Sequence, residues 1–146
     1  MKLVVFKFVA APPERVFAAL VDRAVLQRCI PGADSFVEIG PDAYEATVQI
    51  GVAPIVGSYR SKVVIQDRQP PQSLTIGFEG RGAPGFVGGE GGIGLAAEGD
   101  ATRVAIVADL QVSGLFAIVG QRLIEMAAQK LADDFFDQLA AQLAAS

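Results

Sequence analysis

Between Asp34 and Val112 the chain repeatedly alternates apolar and polar residues, and this period of two constrains the fold more than any other feature. In YEATVQIG, Tyr44, Ala46, Val48 and Ile50 fall on one face, and Glu45, Thr47 and Gln49 on the other. SYRSKVVIQDR repeats the pattern, with Tyr59, Ser61, Val63 and Ile65 set against Arg60, Lys62 and Gln66. SLTIGFE aligns Leu74, Ile76 and Phe78, and TRVAIVADLQV aligns Val104, Ile106, Ala108, Leu110 and Val112. Successive side chains of a strand point to opposite faces, so each segment predicts a half-buried strand. Together they predict an antiparallel sheet with one wet face. Pro41-Asp42 separates DSFVEIG from YEATVQIG as a hairpin turn, and Pro70-Pro71 closes SYRSKVVIQDR.

The flanks follow other rules. The apolar run Leu3 to Val9, interrupted at Lys7, predicts a first strand. Pro12 and Pro13 then open a helix whose Val16, Phe17, Leu20 and Val21 share a face. A second short helix, Ala24 to Ile30, has to stop before Pro31. After Gly114 the period lengthens, and one helix is predicted from about Phe116 to Ala145, roughly 45 Å at 1.5 Å per residue. Its ladder, Leu115, Val119, Leu123, Ala127, Leu131, Phe135, Leu139 and Leu143, steps by four. Four residues turn a helix by about 400°, so the stripe drifts, as on a rod crossing a twisted sheet at an angle. Arg122, Glu125, Gln129 and Asp133 occupy the opposite side. The predicted order is strand, two short helices, six strands and a long helix. A single α+β domain, residues 1–146, with one curved sheet wrapped around the last helix, satisfies it.

Composition excludes several functions. The chain has no histidine and one cysteine, so neither a cysteine–histidine nucleophile nor a histidine metal site can form within it. The single cysteine cannot form an internal disulfide, which fits a reducing cytoplasm. Net charge is −4 with no basic cluster, so nucleic acid and anionic lipid are repelled. No apolar run approaches the ~18 residues of a membrane span. The start, MKLVVFKFVAAPP, is broken by Lys7 and closed by prolines, and predicts a strand instead of a secretory signal. Apolar residues make up 51% of the chain and charged ones only 19%, a surplus of oily side chains for a core of this size.

Individual motifs are ordinary. Gly89, Gly91 and Gly94 spell G-x-G-x-x-G, yet LAAEGDATRVAIV behind them has strand character where a dinucleotide site needs a helix. The glycine run therefore predicts a bulged strand pair or a portal to an interior space. Cys29, in RCIPGAD, lies near a helix C-terminus, where the dipole opposes a thiolate, so a buried structural thiol beside a Pro-Gly hinge is predicted. Asp67, Glu79, Asp109 and Glu125 have no spacing that pairs them as acid and base. No catalytic residue, metal ligand or cofactor is assigned. Tyr44 and Tyr59 fall on the inward register, where a buried hydroxyl wants a partner.

In order along the chain stand APPERVFAALVD, IPGAD, Y-x-A-x-V-x-I-G, P-I-x-G-x-Y, D-R-x-P, the glycine-rich pair, D-L-x-V-S-G and G-Q-R-L-I. From Leu3 to Leu143 this series resembles the carbon monoxide dehydrogenase G-subunit family of the SRPBCC (START-like, helix-grip) group. The resemblance implies a seven-stranded antiparallel sheet gripping the C-terminal helix around an apolar cavity. It also implies an accessory role to molybdenum-containing carbon monoxide dehydrogenase or related hydroxylases. Relatives are linked to recruiting that enzyme to the cytoplasmic membrane and to binding quinone-like lipids. Longer relatives continue into a proline-rich tail and a membrane-anchoring segment. This sequence ends at Ser146, so a cytoplasmic place without a span of its own is expected, at the inner face of the membrane if peripheral.

The inward registers then nominate the cavity wall: Ile50, Tyr59, Ile65, Ile76, Phe78, Ile106, Leu110, Leu123, Met126 and Ala127. A lipid-sized pocket measures about 300–1,000 Å³. Leaving 300 Å³ empty costs about 7 kcal/mol at ~24 cal/mol per Å³, so an apolar guest is expected. The expected function is a non-catalytic accessory protein holding a quinone- or lipid-like molecule. The alternatives are a helix-grip enzyme, cyclase- or hydrolase-like, acting on an apolar substrate, and an interaction module with a filled core.

Overall fold

The computed structural model describes residues 1–145; Ser146, the last residue of the expected domain, lies outside them. Among these residues the alternating segments form seven antiparallel strands. β1 is Lys2–Val9, β2 Ala33–Gly40, β3 Ala43–Ile50, β4 Gly57–Gln69, β5 Ser73–Gly82, β6 Gly85–Glu98 and β7 Ala101–Gly114. They make one sheet in the order β1-β7-β6-β5-β4-β3-β2, so the meander from β2 to β7 is closed at one edge by the N-terminal strand. α1 (Pro13–Leu20) and α2 (Arg23–Cys29) follow β1, and α3 (Leu115–Val119) and α4 (Gln121–Ala145) follow β7.

Local chemistry explains the helix ends. Pro13 takes the first turn of α1, and Val16, Phe17 and Leu20 are buried. Asp22 caps α2 by accepting a hydrogen bond from the Val25 amide at 3.1 Å. α2 runs one residue earlier at each end than predicted, because Pro31 forces Ile30 into an extended conformation (φ −70°, ψ 115°). Gly32 then turns at φ +75°, where a Cβ would overlap the carbonyl of Gln49. The hinge in RCIPGAD is thus built from Pro31 and Gly32, against β3.

The last helix differs from expectation. It is two helices, broken at Gly120, whose φ of 87° no helical residue can hold. The break separates Leu115 and Val119 from the rod that carries the remaining ladder. α4 buries Ile124, Ala127, Phe136 and Leu139. With Ile124 seated inward, Met126 lies about 200° round the helix and faces solvent. Leu123 and Met126 are 44% and 60% exposed.

α4 crosses the inner face of the sheet. Lys7, on the inward register of β1, donates to Asp133 of α4 at 2.7 Å, and Arg28 of α2 donates to Gln142 at 3.1 Å. Under α1 and α2 a dense cluster forms from Val16, Phe17, Cys29, Phe36, Val104, Phe136 and Leu139, among others. A second cluster at the other end joins Leu3, Ile55, Tyr59, Leu110, Phe116, Ile124 and Ala127.

Candidate functional site: an apolar pocket under α4

Strand register shows why space opens at that second end, up to its border with Ala46 and Val48 of the first cluster. Ala46, Ser61, Gly80 and Val87 stand opposite one another across β3, β4, β5 and β6. Short side chains thus occupy the centre of the inner face. The next row runs Val63, Phe78, Gly89, Leu110, and again a glycine separates two large residues. Above them α4 presents Ile124, Ala128, Leu131, Ala132 and Phe135. The result is a pocket of about 410 Å³ between sheet and helix. Ile30 and Pro31 of the hinge, Ile55 of the β3–β4 loop, and Phe116 of α3 complete its rim.

The lining is apolar apart from Tyr59, Ser61 and Glu79. Tyr59 is 2% exposed and donates its hydroxyl proton to the Ile55 carbonyl at 2.7 Å. Burial pushes that phenol above its ordinary pKa, so it stays protonated. Its ring packs at 57° to that of Phe116, with centroids 5.9 Å apart. Glu79 borders the pocket but is exposed, at the outward register between Phe78 and Gly80.

Of the residues nominated from sequence, Ile50, Tyr59, Phe78 and Leu110 border the pocket. Ile65, Ile76 and Ile106 belong to the dense cluster at the other end. They share the inward face but sit too far along their strands. Ala127 is buried in the second cluster without bordering the pocket, Met126 points outward for the reason given above, and Leu123 is 44% exposed. The sequence reasoning passed over Ile30, Pro31, Phe116 and the small residues Ala46, Ser61 and Gly80. The signal that could have found the last three is a run of short side chains at one inward row.

The other motifs fall away. The glycine run forms a 14-residue strand, β6, paired with both neighbours, and β7 follows it where a dinucleotide site needs a helix. Cys29 is fully buried, and desolvation raises its pKa despite Arg28, so the thiol is inert. Asp67, Glu79, Asp109 and Glu125 are all exposed. Among the described residues no helix is long and apolar enough to cross a membrane.

Comparison with known proteins places this geometry. The family model for the carbon monoxide dehydrogenase G-subunit (CoxG) matches residues 7–144. The chain is similar to a conserved protein of Geobacillus kaustophilus of known crystal structure, with 32% identity and a TM-score of 0.95 over 100% of this chain and 97% of that one. A START superfamily protein from Mycobacterium smegmatis superposes with a TM-score of 0.74 at 14% identity, over 97% and 95% of the two chains. A protein from Rhizobium leguminosarum does so with a TM-score of 0.75 at 16% identity, over 100% and 95%. The last two show the shared fold. No curated protein matches the chain.

Proposed function

The chain belongs to the carbon monoxide dehydrogenase G-subunit (CoxG) family and has a START-like fold, and from that premise we propose a non-catalytic accessory role. It holds an apolar, quinone- or lipid-like molecule in the pocket under α4 and associates with a molybdenum-containing carbon monoxide dehydrogenase or related hydroxylase. The family supports the partner, and the pocket supports the ligand.

One observation carries the ligand reading: an apolar pocket of about 410 Å³ beneath α4. That volume falls within the ~300–1,000 Å³ of small-molecule sites. Water is a poor filling, since each molecule needs two to four polar partners, the tyrosine proton is already used, and the inward lining otherwise offers only the Ser61 hydroxyl. An apolar guest regains about 25 cal/mol per Å² of surface it hides.

Thermal unfolding tests the reading. At ligand concentrations about 100-fold above Kd, stabilisation by ~2.7 kcal/mol should raise Tm by about 5–10 °C. Short-chain quinones and medium-chain lipids are the compounds to titrate. A Tm that stays flat with all of them sinks the container reading. Surface plasmon resonance against purified carbon monoxide dehydrogenase tests the partner separately.

A further inference from the structure

We infer that Ser61 is the polar anchor of the pocket and that its ligand is uncharged, with a hydrogen-bond acceptor such as a carbonyl at one end. This deepens the function proposed above and rests on it. Ser61 lies on the inward register of β4, opposite Ala46 on one side and Gly80 on the other, and all three border the pocket. A Cβ placed on Gly80 would stand 3.6 Å from Ser61 Oγ and 3.7 Å from Val87 Cγ1. The hydroxyl therefore lies on the pocket face, beside the room that glycine leaves.

Among the described residues Ser61 Oγ has no hydrogen-bond partner, while every fully buried side-chain nitrogen or oxygen has one. Ser61 thus carries a free donor that the fold does not consume. Tyr59 cannot play the part, because its proton goes to the Ile55 carbonyl. A serine proton seeks an acceptor, and a guest bearing a carbonyl, ether or quinone oxygen supplies one. No lysine or arginine borders the pocket, and the one carboxylate at its edge, Glu79, is exposed on the outward register, so an ionised ligand would be desolvated inside without a counter-charge. That selects neutral ligands.

Calorimetric titration of the full chain with 1-tetralone and with tetralin, its hydrocarbon counterpart, separates anchor from container. The wild type should bind tetralone more tightly. Ser61→Ala should weaken tetralone binding about two- to tenfold, the worth of one neutral hydrogen bond, and leave tetralin within about twofold. Ser61→Thr, which keeps a hydroxyl, should retain the preference. Gly80→Ala, which puts a methyl beside the hydroxyl, should erase it with Ser61 still present. Circular dichroism of each variant confirms that it folds. Tetralin and tetralone binding alike to the wild type, or falling together in Ser61→Ala, overturns the anchor and leaves the container standing. 1-Naphthoate binding as tightly as tetralone at pH 7 overturns the selection for neutral ligands. Failure of every probe to bind the wild type removes the container, and the anchor with it.

Discussion

The two ends of this molecule share one sheet and one long helix, yet one end is packed solid and the other holds a pocket. At the packed end, α1 and α2 add a layer, and Phe17, Phe36, Phe136 and Leu139 fill the space. At the open end the sheet offers Ala46, Ser61 and Gly80 where α4 offers Ala128 and Ala132, so small faces small. Phe135 borders the pocket while its neighbour Phe136 is buried in the packed cluster, their rings in edge contact with centroids 5.1 Å apart. Apolar side chains line both ends. What separates them is side-chain volume at matched registers, which decides whether burial closes over itself or leaves room for a guest.

Two leucines on the same helix test this most sharply. Leu139 is fully buried at the packed end, and Leu139→Ala should destabilise by about 2–5 kcal/mol in urea unfolding. Leu131 borders the pocket, and Leu131→Ala should lose no more than about half as much, because that side chain already adjoins open space. Equal losses would dissolve the contrast. Enlargement should then have opposite signs at the two ends. Ala19→Leu, in the packed cluster, should destabilise by about 1–3 kcal/mol through overpacking. Ala132→Leu should instead stabilise by up to about 2 kcal/mol, and should abolish any ligand-dependent rise in Tm.

The smallest effect concerns the tie between β1 and α4. Asp133 accepts a hydrogen bond from Lys7 at 2.7 Å and another from Gln129 at 2.9 Å, and these bonds, the Lys7 one foremost, hold its carboxyl below the ordinary value of 3.8. A depressed carboxylate pKa adds stability that is present above the unfolded value and lost as pH falls through the folded one. The Tm advantage of wild type over Asp133→Asn should therefore be constant near neutrality and shrink below about pH 4. An advantage that grows with acidity would contradict that linkage.

Much of the fold was legible because its signals are local. Alternation marked the strands from β2 to β5 and β7, paired prolines marked α1, and Pro31 with Gly32 marked the end of α2. The helix break was legible in principle, at Gly120, but the unbroken four-residue ladder concealed it. Leu123 and Met126 lie within the unbroken α4, and their exposure follows from which face of that helix meets the sheet. The hinge in RCIPGAD was recognised as a stop, whereas its place on the pocket rim, through Ile30 and Pro31, depends on α4 passing overhead.

The sequence by itself determined which face of each strand turns inward, since side-chain direction follows from neighbouring residues alone. Only the tertiary structure decided where along that face the interior stays open. Ile65, Ile76 and Ile106 point inward just as Ile50, Phe78 and Leu110 do, but they meet helices that fill the space. The opening arises where the registers of two strand pairs bring Ala46, Ser61 and Gly80 side by side under the small residues of α4. That coincidence joins positions 46 to 132, and no local pattern encodes it.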